Sequence, residues 1–306
     1  MSLIALLKPK GPSGFGYGST AEKVTAGLSL AGKTILVTGC NSGLGAETAR
    51  VLALRGARVL GTARTREKAE AACAKLGGGA TGLACELADP ASIRACVAAV
   101  HQDGAKIDAI LCNAGIMALP RRELAFGVEL QFFTNHVGHF MLVTGLLDRL
   151  ADDGRVVMTS SGAHFAAPRP GVVLDDLGCE RGYNQWRAYG QSKFANILFA
   201  KELARRFAGS SRTANAVHPG VIATNLGRHM NPIARLALAI GKPLVLKSAA
   251  QGAATQVYVA VHPDAAKISG RYFADCNVAK PRPDTEDPEL AQRLWAATEA
   301  IVARLP

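Results

Sequence analysis

The chain has no run of five or six like charges, no CxxC pair and no apolar stretch long enough to span a bilayer. Each absence removes a class. Charge blocks accompany disordered tails and nucleic-acid-binding arms, and the helix-turn-helix, zinc-finger and RNP signatures are missing too. No nucleic-acid partner is expected. The cysteines number seven, an odd count without paired spacing, which argues against a disulfide framework. Several, such as Cys96 and Cys112, lie in apolar stretches and are expected to be small buried hydrophobes. That usage suits a reducing compartment. Near the N-terminus, Lys8, Pro9 and Lys10 end the one apolar run after Leu7. This is shorter than a signal-peptide core and far below the roughly 20 residues of a membrane helix. A cytoplasmic protein without a membrane span is expected.

What is present suits one large globular domain. Of 306 residues 49% are hydrophobic and 19% charged, and α/β domains reach this size without splitting. Net charge is +11, but the Lys and Arg residues are scattered. A solvated, mildly cationic surface is the reading, and it would attract an anionic dinucleotide.

Residues 8–18 are rich in Gly and Pro and read as an irregular arm. Ser19-Thr20-Ala21-Glu22 has capping-box spacing and predicts a short helix, so that residues 1–30 form an arm ahead of a catalytic domain at 31–306. From Lys33 onward short apolar runs alternate with amphipathic stretches. Strands are predicted at 34–37, 58–61, near Leu83, at 109–112, 155–159 and 213–217. Helices are predicted at 46–55, from Asp89-Pro90, around 132–150 and at 189–207. Continuous apolar strands alternating with helices indicate a parallel sheet covered on both faces. Right-handed crossovers leave a doubly wound, Rossmann-type α/β fold in a single domain.

The first strand runs into Thr38-Gly39-Cys40-Asn41-Ser42-Gly43-Leu44-Gly45, spaced TGxxxGxG. Gly39 turns the chain, Gly43 lets the backbone approach a pyrophosphate, and Gly45 lets helix and strand pack closely. Phosphates would then meet free N–H groups at a helix N-terminus. GxGxxG spacing is absent, and Ser42 stands where a TGxxGxxG loop would need glycine. The second strand ends Ala63-Arg64, where an acidic residue would accept from the adenosine ribose hydroxyls. A guanidinium there can pair with a 2′-phosphate. NADP(H) is therefore preferred, with NAD(H) left open.

Tyr189-Gly190-Gln191-Ser192-Lys193 is a YxxxK on a predicted helix. Residues at i and i+4 share a face, so phenol and ammonium can enter one site. A neighbouring cation is expected to draw the phenol's pKa of about 10 toward the working range.

Together these motifs resemble the compact branch of the short-chain dehydrogenase/reductase family over roughly residues 30–305. The resemblance implies further roles. Glu86-Leu87 follows the third strand where the family usually has Asp-Leu touching adenine. Asn113-Ala114-Gly115 matches the NAG motif, lining the adenosine ribose and steadying the sheet. The catalytic hydroxyl falls on Ser161, with Ser160 the fallback, as an oxyanion-type donor. Ser161 lies 28 residues before Tyr189, a longer gap than is common in that branch, so Pro168 to Trp186 is expected to form an excursion over the site. Asn135, in Asn135-His136-Val137-Gly138-His139-Phe140, resembles the asparagine that holds a water linking lysine to solvent. His136 and His139 lack a third metal ligand at suitable spacing and are read as packing or capping groups. His218-Pro219-Gly220-Val221-Ile222-Ala223-Thr224 resembles the PG segment, in which Ile222 backbone groups and the Thr224 hydroxyl fix the nicotinamide amide. His218 is expected behind that loop as a structural group.

Gly270 to Cys276 and Arg293-Leu294-Trp295 resemble the retinol dehydrogenase and WW-domain oxidoreductase branch, and Gly14 to Glu22 resembles the arm of its plant chloroplast members. The implied activity is hydride transfer between nicotinamide and a carbonyl or alcohol. Substrate specificity is expected in 164–186 and 225–246, and an apolar pocket would favour a bulky ketone or aldehyde. A catalytically silent nucleotide-sensing scaffold and a C=C reductase of the same fold are the alternatives, and a homo-oligomer is left open.

Overall fold

The computed structural model describes residues 8–222 and 246–306. Among the described residues the first helix, α1 (Ala21–Val24), precedes a sheet built from β1 (Thr34–Thr38), β2 (Arg58–Ala63), β3 (Thr81–Ala84), β4 (Ile107–Cys112), β7 (Leu150–Thr159), β8 (Thr213–His218), β9 (Tyr272–Ala274) and β10 (Asn277–Ala279). β5 (Leu124–Ala125) and β6 (Val128–Glu129) form a separate hairpin. The spatial order is β10-β9-β8-β7-β4-β1-β2-β3, with only the β9–β10 pair antiparallel. Strand order reverses between β1 and β4, so a crevice opens at their carboxyl ends.

The strands read as apolar runs because both faces are covered. Along β1, Leu36 enters one core layer, while Ile35 and Val37 enter the other. β4 repeats the alternation, with Ile110 and Cys112 against Ala109 and Leu111. Each fully buried Leu, Ile or Val of this kind contributes roughly 1.5–3 kcal/mol. The first layer is completed by α4 (Pro90–Asp103), α6 (Gln185–Arg206) and α8 (Pro288–Val302). It also takes in α5, which runs through Leu130–Phe132, a π turn Phe133–Val137 and Gly138–Thr144. The second layer is completed by α2 (Gly43–Leu54) and α7 (Ala249–Val261), and α3 (Arg66–Cys73) follows β2.

Several helix starts follow from their caps. Asp89 accepts from Ala91 N–H ahead of Pro90, and Asn184 accepts from Trp186 and Arg187 N–H. Ser248 and Gln251 form a capping box on α7. Three expectations need correction. Thr20, not Ser19, caps α1, accepting from Lys23 N–H, because the Ser19 hydroxyl is taken by Gly16 N–H. The helix predicted to 150 ends at Thr144, since β7 already begins at Leu150 and pairs there with Ile107. α6 starts at Gln185, one turn earlier than predicted, because the Asn184 cap sets its first turn. The arm is docked: Asn277 holds Ser13 N–H and Phe15 C=O, and the Phe15 ring meets Tyr258 at 5.7 Å.

Candidate active site

The crevice begins at the loop between β1 and α2. Gly39 and Gly43 have φ of +71° and +55°, which favours glycine. A Cβ on Gly45 would stand 2.1 Å from Gly39 O and 2.6 Å from Asn113 Nδ2, so helix and strand meet only across a bare Cα. Cys40 and Leu44 turn inward, while Asn41, Ser42 and Gly43 are exposed at the mouth of α2. The Ser42 side chain makes no capping bond. A helix N-terminus presented this way fits a dinucleotide pyrophosphate. Gly45→Ala is expected to push α2 off the sheet at a cost of about 1–3 kcal/mol, read as a lower Tm together with weaker dinucleotide binding; an unchanged pair of values would refute the close-packing role.

Asn113 ties this loop to β4. Its Nδ2 donates to Thr38 O at 2.9 Å, and the Asn113 and Ala114 N–H groups donate to Thr38 Oγ1, each at 2.9 Å. His139 lies behind, with Nδ1 3.0 Å from Asn135 O and Nε2 3.0 Å from Thr38 Oγ1. A carbonyl only accepts, so Nδ1 carries the proton and Nε2 accepts from Thr38. Burial lowers its pKa to about 4 and keeps it neutral. His136 instead reaches Thr298 Oγ1 on α8 at 3.0 Å. Neither histidine faces a third metal-ligating side chain among the described residues.

Asn135 sits in the π turn, a device common at functional sites. Its Oδ1 accepts from Ile116 N–H at 2.9 Å, and its Nδ2 donates to Ile116 O at 3.0 Å and Ser192 Oγ at 2.9 Å. The side chain thus joins the loop after β4 to α6. Gly115 makes room for it: a Cβ there would stand 2.7 Å from Asn135 Oδ1 and 3.5 Å from Lys193 Nζ.

Tyr189 and Lys193 share one face of α6. The Lys193 ammonium donates to Thr159 O at 3.0 Å and lies 5.7 Å from the Tyr189 ring centroid. Burial lowers the lysine to about 8 and pushes the tyrosine up to about 12, the latter opposed by a hydrogen bond with Ser161. Instead of the expected depression of the phenol by its cation, desolvation dominates for a ring this deeply buried, and Ser161 is the group that opposes it. The two serines divide. Ser160 Oγ donates to Lys193 O at 2.7 Å and is fully buried, whereas half-buried Ser161 accepts from Ala163 N–H at 3.2 Å and faces Tyr189.

Arg64 is exposed beyond β2 and makes no ion pair among the described residues. Glu86 is half-buried, bonded through Oε1 to Ala88 N–H, and Leu87 is buried beside Gly138. Pro219 is buried, Gly220 has φ +90°, and Ile222 bridges to Lys247 beside Gly252. Thr224 and all of 225–246 except Leu246 lie outside the described residues. The excursion after Pro168 packs on the body through Val172 and Leu177, and Tyr183 donates to Leu119 O at 2.7 Å. The bridging roles of Thr38, His164 and Ser192 escaped sequence reasoning, whereas His139, read as a packing or capping group, links Asn135 to Thr38. His139 lies at i+4 from Asn135, and that spacing on a helix was the available signal.

Residues 33–174 match the family described as short chain dehydrogenase. The chain is 38% identical to short-chain dehydrogenase TIC 32 A, chloroplastic, of Brassica napus, over 97% of both chains. It is 39% identical to retinol dehydrogenase 13 of Homo sapiens, over 93% of this chain and 88% of that one. A crystal structure of an uncharacterized protein from Mycobacterium Paratuberculosis is 35% identical with a TM-score of 0.74, covering 92% of this chain and 98% of that one. A short chain dehydrogenase from Burkholderia cenocepacia in complex with NADP is 27% identical with a TM-score of 0.63, covering 80% and 96%.

Proposed function

The chain belongs to the short-chain dehydrogenase family, and from that premise we propose that it is an NADP(H)-dependent oxidoreductase interconverting a bulky hydrophobic ketone or aldehyde and its alcohol. One observation carries the reading: Tyr189 and Lys193 share a face of α6 at the crevice beside the glycine loop, with the Lys193 ammonium 5.7 Å from the phenol ring and Ser161 facing it.

The chain's groups fit a bound dinucleotide. Gly39, Asn41, Ser42, Gly43, Leu44 and Gly45 would hold the pyrophosphate. Glu86, Leu87, Asn113, Ala114 and Gly115 would line the adenosine half, and Pro219, Gly220, Ile222 and Thr224 the nicotinamide amide. When bound, the reduced nicotinamide supplies hydride. Ser161 Oγ already accepts from Ala163 N–H, so its proton is free to point at a substrate oxygen. Tyr189, neutral near pH 7, gives its proton to that oxygen as charge develops there. Lys193 spends one N–H on Thr159 O and keeps two for the nicotinamide ribose and for reprotonating the phenol. Asn135 fixes the geometry between Ile116 and Ser192.

The preference for a hydrophobic substrate rests on exposed apolar side chains borne by the same elements. Phe165 follows the serine turn, Val221 follows Gly220, and Trp186 precedes Tyr189 by one turn of α6; their exposures are 57%, 56% and 38%. A reducing, cytoplasmic compartment accords with seven free cysteines, six of them buried. Among the described residues no helix is long and apolar enough to cross a membrane.

NADPH oxidation against decanal, benzaldehyde and retinaldehyde tests the activity. Turnover of none of them, beside intact NADPH binding, would favour the scaffold. Arg64→Asp tests cofactor choice: the parent should bind NADPH more tightly than NADH, and the variant should lose or reverse that order. A parent that binds both equally removes the assignment to Arg64.

A further inference from the structure

The peptide unit between Ser161 and Gly162 is gripped from both sides by histidines. Ser161 O receives His164 Nδ1 at 2.6 Å, and Gly162 N–H donates to His218 Nδ1 at 3.1 Å. His164 also takes a backbone amide: Arg282 N–H donates to its Nε2 at 3.1 Å. The partners fix the protons. His164 must be protonated at Nδ1 and bare at Nε2, and His218 must be bare at Nδ1. The two rings are opposite tautomers acting on one peptide bond. That bond follows the Ser161 Cα, so its plane sets where the Ser161 side chain starts.

His164 is fully buried, and its remaining surroundings lock it. Tyr272 of β9 packs on it at 5.1 Å between centroids. The Arg282 guanidinium donates to Ala167 O at 2.6 Å and Pro168 O at 3.0 Å, pairs with Asp284 and lies 4.6 Å from the Phe194 ring centroid. The segment from Ser161 to Pro168 is therefore held at its start by His218, and at His164 and its far end by Arg282, more than a hundred residues away.

We propose that His164 is a positioning residue for the reaction, holding the Ser161 peptide through Nδ1 while Arg282 fixes its tautomer through Nε2. This rests on the reading that Ser161 is the catalytic hydroxyl. It explains why a histidine, rather than an aliphatic residue, is buried behind an active-site turn: only a neutral imidazole donates at one nitrogen and accepts at the other.

The side chains that mimic one half of the ring separate the role from mere filling. An Asn amide reaches the place of Nδ1, and a Gln carbonyl reaches the place of Nε2. With NADPH and whichever of decanal, benzaldehyde and retinaldehyde turns over fastest, His164→Gln is expected to lower kcat on the order of 10- to 100-fold, as a small misplacement of a reacting group does. NADPH affinity should stay within about twofold, and His164→Asn should keep kcat within about threefold of the parent, since it retains the donor to Ser161. In a Ser161→Ala background His164→Gln should cost less than about twofold, because the group it positions is gone. Equal losses in both backgrounds, or an Asn variant as slow as the Gln variant, would overturn the inference. A Ser161→Ala protein as fast as the parent sinks the reading of Ser161 itself, a different outcome from a fast His164→Gln beside a slow Ser161→Ala. If His164→Gln does not fold, His164→Leu, which fills the site without a donor to Ser161 O, is judged by the same comparison of backgrounds.

Discussion

Replacing Tyr189 with phenylalanine is expected to reduce carbonyl reduction by about 10²- to 10⁴-fold, the usual range for a positioned proton donor. NADPH affinity should scarcely change, because the buried ring keeps its packing and only the hydroxyl facing Ser161 is lost. The parent enzyme's pH dependence follows from the same group. With the phenol pushed up to about 12 by burial, its protonated form predominates at neutrality, so reduction should be flat across neutral pH. Alcohol oxidation needs the phenolate and should climb as pH rises. Steady-state rates in both directions check this. A phenylalanine variant that keeps parental turnover would remove Tyr189 from the mechanism.

Lys193→Met is expected to abolish turnover and yet stabilise the fold at pH 7. The lysine is buried, with its pKa lowered from 10.5 to about 8 by burial. Between those values the unfolded chain binds a proton that the folded chain has released, so stability rises with pH across that interval. The penalty for a buried ammonium is complete below about 8 and gone above about 10.5. A shift of this size corresponds to about 3 kcal/mol, at 1.36 kcal/mol per unit. Methionine keeps the apolar stem without the charge. Thr159 O is not orphaned, because Asn196 Nδ2 also donates to it at 3.1 Å. Denaturant unfolding at pH 7 and pH 10.5 should show the variant ahead at pH 7, with the gap closing at alkaline pH. A variant less stable than the parent at pH 7 contradicts the burial argument, while retained turnover contradicts the catalytic one. A residue whose removal strengthens the fold is kept for its chemistry.

The doubly wound fold was legible because its signals are local. Apolar runs of the length of β1 and β4, each followed by a helical stretch, leave little choice of topology, and the glycine loop marks the first crossover. Tyr189 and Lys193 were legible for the same reason, as a spacing of four on a helix fixes a shared face. The choice between Ser160 and Ser161 was not. Adjacent residues at the end of β7 point opposite ways, and only the placement of α6 shows that Ser160 meets the Lys193 carbonyl. His164 was hidden by distance: it carries a donor–acceptor demand only when Arg282 arrives from a segment 118 residues later. The direction of the Tyr189 shift was not legible because spacing reports a neighbouring cation but not the depth of burial, and burial raises the phenol. The α1 cap was misplaced by one residue, since a turn at Gly16 competes for the Ser19 hydroxyl.

The π turn at Phe133–Val137 constrains chain length as much as side-chain identity. It accommodates one residue more than regular winding would, and each helical residue turns the chain by about 100°. Deleting any single residue there would let α5 wind without interruption, a change that local helix preference alone would score as favourable. It would also rotate one end of α5 against the other, so that Asn135 could not meet Ile116 and Ser192 while His139 still met Thr38. In this stretch a gap is costlier than most substitutions, and the helix is held to its irregular length by what its two halves must reach.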